Sequence, residues 1–199
     1  MVHQFFIDKR PQNGMNYKEY IQSVMNDIAT GKQDAMNEEE KEHFDYKKLN
    51  MQRSSRIEKT YTVSDELKSV IKNIKSKQLW MTITEGWCGD SAQTLPHIVK
   101  MAELNPNIEL KILLRDKNLD IMDLYLTNGT RSIPIFVVLD EAGNELLRWG
   151  PRTKVLQEQM NQWKSEGIVK PELYEKLHLW YARNKGKEIE AEFIKILSV

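Results

Sequence analysis

The 199-residue chain has one cysteine, four histidines, no net charge and no long apolar run, and each scarcity removes a class of protein. The single thiol, Cys88, excludes any disulfide within the chain, and with it the small folds that disulfides staple together. Whatever Cys88 does covalently, it does with another molecule. His3, His43, His97 and His178 show no ligand spacing with Cys88, so the sequence offers no zinc site and implies no metal. It contains no glycine-rich phosphate loop, and no cofactor is implied. The 29 basic residues balance 29 acidic ones, leaving no global field to draw the protein onto nucleic acid or an anionic membrane. The longest apolar stretch, residues 133–139, is far too short to span a bilayer. Phe5, Phe6 and Ile7 are likewise too short a run for a secretory signal. The expectation is a cytoplasmic protein with neither nucleic acid nor membrane as partner.

With 40% hydrophobic and 29% charged residues, the chain belongs to the ordinary globular class, and its length admits one domain with extensions. Residues 1–58 read as a helical N-terminal extension, in which Tyr17, Ile21, Val24, Met25 and Ile28 are spaced to form one apolar face. The segment 38–56 opens with EEEKE and has sparse aromatics, Phe44 and Tyr46, so it reads as a solvated helix face. The nearest thing to a linker is 29–37.

Residues 59–166 alternate between helix and strand patterns, the signature of a layered α/β domain. Ser64 is a capping candidate for a helix over 65–75, with Leu67, Val70, Ile71 and Ile74 on its buried side. A strand follows at 79–84, and the next helix starts near Cys88. Residues 108–114 and 134–139 are rich in branched apolar side chains and are expected to be strands in the centre of the sheet. Glu141-Ala142-Gly143-Asn144 is a turn signal that pairs the latter with a strand at 145–149, before a helix at 155–163. Residues 167–199 form a C-terminal helical extension, with Pro171 opening a helix whose Leu173, Leu177, Trp180 and Tyr181 share one face. That face is expected to pack back onto the domain.

Trp87-Cys88-Gly89-Asp90-Ser91 lies between a strand pattern and a helix pattern. A thiolate at a helix N-terminus meets unpaired backbone N–H groups and the positive end of the helix dipole, which favours ionisation and an accessible, reactive sulfur. Glu85 and Asp90 oppose that effect by adding negative charge nearby. Ser91, three residues on, can hydrogen-bond the sulfur but cannot form a disulfide with it.

This segment resembles the WCGPC region of thioredoxins with the second cysteine replaced by Ser91. Pro96 stands where that family has its helix-kinking proline, Ser132-Ile133-Pro134 resembles its cis-proline loop, and Gly150 matches the glycine flanking the same groove. The resemblance implies a thioredoxin-like fold of three layers about a central mixed sheet, with helical N- and C-terminal extensions. It also implies a cis Ile133–Pro134 bond beside Cys88, and a substrate groove formed by Trp87, Gly89, Asp90, Ile133, Pro134 and Gly150. Thr82 departs from the family, standing where thioredoxins bury an aspartate that assists the resolving cysteine. The loss of base and resolving thiol together disables dithiol turnover.

The leading expectation is a monothiol thiol–disulfide oxidoreductase with Cys88 and Ser91 as its catalytic residues. Its partners would be a disulfide-bearing protein or a low-molecular-weight thiol, and an external thiol would resolve the mixed disulfide. A non-enzymatic binding module that uses the same groove is the alternative, as is a sensor in which Cys88 is oxidised or capped. His97 reads as a satisfied or solvent-facing histidine, not a general base.

Overall fold

The computed structural model describes residues 2–198. In chain order it contains α1 (Gln4–Ile7), α2 (Tyr17–Thr30), α3 (Glu38–Thr60), α4 (Asp65–Lys72), β1 (Gln78–Thr84), α5 (Gly89–Ala102), β2 (Ile108–Leu114) and α6 (Leu119–Met122). These are followed by β3 (Ile135–Asp140), β4 (Glu145–Trp149), α7 (Lys154–Ser165), α8 (Lys170–Asn184) and α9 (Lys187–Leu197). Short 3-10 turns lie at Gln33–Ala35 and Arg115–Lys117.

Local chemistry sets the helix starts. Asn16 caps α2 and Asn37 caps α3 in reciprocal capping boxes with Glu19 and Glu40, each satisfying amides that the first turn leaves free. Ser64 and Thr153 cap α4 and α7 by accepting from the Leu67 and Leu156 amides. The helix at 65–75 therefore exists, but its α-helical part ends at Lys72.

The sheet order is β2-β1-β3-β4, with β1 parallel to β2 and antiparallel to β3, and β3 antiparallel to β4. This is the mixed sheet of the expected fold class, with helices on both faces. Strand alternation divides the core in two. Trp80, Phe136 and Val138 meet Leu67 and Ile71 of α4, Ile98 and Met101 of α5, and Phe193 of α9. On the opposite face Leu79, Met81, Ile83, Ile135 and Val137 meet Phe5, Ile121 and Tyr125.

The structure corrects two expectations. The strand expected at 134–139 does lie centrally, as β3 over Ile135–Asp140, but 108–114 form the edge strand β2. Its apolar composition is explained by covering, not by central position. Met15 makes an isolated antiparallel bridge to Ile112, exchanging both backbone hydrogen bonds, and α2 packs Tyr20 and Val24 beside Ile112. On α2, Tyr17, Ile21 and Ile28 pack around that cluster, whereas Met25 is 50% exposed and does not belong to the buried face. On α8, Leu173, Leu177 and Tyr181 pack onto Leu156 and Met160 of α7, with Trp180 partly buried alongside. The packing of α9 against α4 had no counterpart in the sequence reading.

Candidate active-site pocket

β1 ends at Thr84, and the chain turns through Glu85–Trp87 to place Cys88 at the N-cap of α5. Cys88 is 7% exposed and its Sγ donates to the Ile133 carbonyl at 3.3 Å. The Ile133–Pro134 peptide bond is cis, as is Gly150–Pro151. Gly150 adopts φ +117°, and a Cβ there would sit 2.3 Å from the Pro134 carbonyl oxygen, so β4 closes against the proline loop only through a glycine. Cys88, Ile133, Pro134 and Gly150 are thus brought together.

Ser91 is almost fully buried and accepts a 2.5 Å hydrogen bond from the Thr84 hydroxyl. That bond leaves the Ser91 proton free, and the Ser91 hydroxyl favours the Cys88 thiolate. Thr82 Oγ1, on β1, is buried without a hydrogen-bond partner among the described residues. Pro96 lies inside α5.

The expectation of an accessible, readily ionised thiol does not hold. Burial, and after it the Asp90 carboxylate, pushes the Cys88 thiol up to about 11, against the Ser91 hydroxyl and the Ser91 and Asp90 amides, which favour the thiolate. Removing the sulfur from water outweighs the helix terminus. Asp90 is itself buried and held on three sides: Arg152 Nη2 lies 2.6 Å from Oδ2, Arg152 Nε donates to Oδ1 at 3.0 Å, and the Tyr181 hydroxyl donates to Oδ1 at 2.8 Å. The other acid singled out, Glu85, accepts from the Asp116 amide at 2.9 Å.

Cys88 lies in a pocket of about 440 Å³ whose walls the sequence did not reveal. The charged segment read as a solvated face is α3, and it buries Phe44, Asn50, Ser54 and Ile57. Asn50 Nδ2 donates to the Gly86 carbonyl and Ser54 Oγ to the Ala92 carbonyl, fastening α3 along the loop and helix that carry the thiol. Glu42, His43 and Tyr46 of α3 then line one wall, and Lys170, Tyr174, Leu177 and His178 of α8 line another. His43 stacks on Trp87 with ring centroids 4.4 Å apart, and the Arg115 guanidinium lies 4.7 Å from the Trp87 centroid. His178 covers Gly89 so closely that a Cβ there would meet its Cε1 at 2.8 Å. Burial, with Arg53 and Arg56 adding to it, lowers His178 to about 3, so it is neutral near pH 7. The sequence signal for these walls was the spacing of ring-bearing side chains on polar helices: His43 with Tyr46, and Tyr174 with His178. His97 is buried elsewhere, against Tyr61 at 4.2 Å, lowered by burial to about 4.

Among the described residues no group of three or more metal-ligating side chains occurs, and no helix is long and apolar enough to cross a membrane. A family model described as thioredoxin matches residues 36–164, a span that takes in α3 as well as the sheet. No curated protein matches the chain. Among solved structures, it is similar to a protein of unknown function from Pseudomonas aeruginosa, with 17% identity, 94% of each chain covered and a TM-score of 0.64. It is also similar to an HIV epitope scaffold, at 17% identity, 94% of each chain and a TM-score of 0.58. At that identity the likeness concerns the fold alone.

Proposed function

The chain belongs to the thioredoxin family, and on that premise we propose that it is a monothiol thiol–disulfide oxidoreductase acting through Cys88 in the cytoplasm. Residues 59–166 form the redox domain, and the extensions 1–58 and 167–199 supply helices that wall its pocket. The observation that carries the reading is the position of Cys88 Sγ at a helix N-cap, in a pocket, against the Ile133 carbonyl. The Cys88 thiolate attacks one sulfur of a disulfide, the S–S bond breaks, and the departing sulfur leaves with the electron pair and takes up a proton. Ser91 has no thiol to displace the adduct, so an external thiol completes the cycle. With its ordinary ionisation displaced to about 11, Cys88 is almost wholly protonated at neutral pH and exchange is slow there, although the rare thiolate is strongly nucleophilic.

The burial of Cys88 also favours a second reading, a binding module in which the thiol is inert. Intact mass decides between the two. On incubation with oxidised glutathione, the folded protein gains one adduct per chain, reversed by excess small thiol and abolished by Cys88→Ser. If Cys88 stays unmodified in the folded protein over a pH range of 7 to about 10 yet reacts once unfolded, the exchange reading fails and the binding module stands.

A further inference from the structure

The walls of the Cys88 pocket restrict what can reach the sulfur. α3 and α8 are joined above it by two contacts: Lys170 Nζ lies 3.3 Å from Glu42 Oε1, and the Tyr46 and Tyr174 rings meet edge to face at 6.4 Å. These contacts narrow the approach to Cys88, which is only 7% exposed, and that favours a small disulfide over one held in a folded protein. The pocket's volume, about 440 Å³, is that of a small-molecule site.

Its charge is uneven. Glu42 is matched by Lys170 and Asp90 by Arg152, all four lining the pocket. Arg115 and Arg131 line it too, but the carboxylates they pair with, Asp116 and Asp123, do not. The two arginines are neighbours: Arg115 Nη1 donates to the Arg131 carbonyl at 3.4 Å. Arg131 holds Asp123 through Nε and Nη2, and Arg115 holds Asp116 through Nε and Nη2, so neither carboxylate takes all the N–H groups of its guanidinium. Arg131 Nη1 has no hydrogen-bond partner among the described residues. These remaining donors are the ones a ligand carboxylate can engage.

We propose that the substrate of this site is a low-molecular-weight disulfide bearing carboxylates, admitted between α3 and α8 and oriented by Arg115 and Arg131 toward Cys88. This rests on the exchange reading above. The Cys88 thiolate forms a bond to one sulfur of the small disulfide, and the other half departs as a carboxylate-bearing thiolate that takes up a proton.

The test compares three small disulfides of similar size: dithiodiglycolate (anionic), hydroxyethyl disulfide (neutral) and cystamine (cationic). Insulin serves as a protein disulfide. Each rate of Cys88 adduct formation or reduction is divided by the rate of the same disulfide with 2-mercaptoethanol. The normalised anionic rate is expected to exceed the neutral one by about tenfold, to exceed that of insulin, and to fall with added salt. Arg131→Gln brings the anionic-to-neutral ratio toward one, whereas Arg131→Lys retains most of it. Equal normalised rates for the three charges, or insulin reacting as fast as dithiodiglycolate, overturn this inference and leave exchange at Cys88 standing. A folded protein that forms no adduct with any of them, while its unfolded chain reacts, overturns the exchange reading itself and this inference with it.

Discussion

Arg152 grips the Asp90 carboxylate at two points, through Nη2 to Oδ2 at 2.6 Å and Nε to Oδ1 at 3.0 Å. The loop after β4 is thereby tied to the first turn of the helix that carries the thiol. Tyr181 adds a third contact from α8, so three separated parts of the chain converge beside Cys88. A buried carboxylate so engaged is a structural necessity for Arg152, and it also raises the pKa of the sulfur, holding the thiol in its protonated form.

Asp90→Asn separates these two roles. Removal of the charge lowers the Cys88 pKa from about 11 while burial continues to hold it above the ordinary thiol value, so the thiolate fraction rises and alkylation quickens at a given pH. The same change strands the largely buried Arg152 and costs about 3 kcal/mol or more of stability. The alkylation rate against pH and a urea unfolding curve read the two effects independently. A slower alkylation with unchanged unfolding contradicts both.

Ser91→Cys supplies the missing resolving thiol at the position that already faces Cys88. The variant, incubated with oxidised glutathione, will pass through the adduct to an internal disulfide, seen as a loss of two hydrogens by intact mass in place of a stable glutathione adduct. Its turnover stays below that of a dithiol enzyme because Thr82 offers no carboxylate to take a proton. Persistence of the adduct shows that residue 91 cannot reach the mixed disulfide.

The placement of Cys88 at a helix start was legible because it is local: a strand pattern, a cysteine and a helix pattern follow one another in sequence. The fold was legible for the same reason, through the period of each element and its caps. Long-range packing was not. Nothing in EEEKE says that the helix it opens will lie along α5 and bring His43 onto Trp87, because Asn50 and Ser54 act there through backbone carbonyls that any sequence has. The central placement of 108–114 failed because apolar composition reports burial, and Met15 with α2 buries an edge as well as a neighbouring strand does. The thiol's ionisation failed because helix dipole and burial oppose each other, and only the packed structure weighs them.

Two histidines make folding acid-sensitive. His97 and His178 are lowered to about 4 and about 3, while their unfolded values lie near 6.5. The unfolded chain therefore binds more protons between those limits, and stability falls as pH drops below about 6.5. At pH 5 each residue opposes folding by about 2 kcal/mol relative to pH 7.5. Urea unfolding at the two pH values measures the difference, and His178→Gln removes part of it. An equal slope in wild type and variant would mean that His178 titrates normally in the folded protein.

Gly150→Ala tests how tightly the proline loop is pressed against β4. The residue sits at φ +117°, outside the region that side-chain-bearing residues tolerate, and its new Cβ would lie 2.3 Å from the Pro134 carbonyl oxygen, a backbone atom that cannot swing aside. Gly129→Ala is the control, since it also has positive φ, +74°, but nothing within 4 Å of the added atom. The control pays only for conformation, about 1 kcal/mol. Gly150→Ala adds the clash and loses about 3 kcal/mol in urea unfolding. Because Pro134 follows the residue whose carbonyl accepts from Cys88, displacement of that loop exposes the sulfur and quickens its alkylation in the folded state. Equal stability losses in the two variants, or an unchanged alkylation rate in Gly150→Ala, would show that the loop yields without disturbing the thiol.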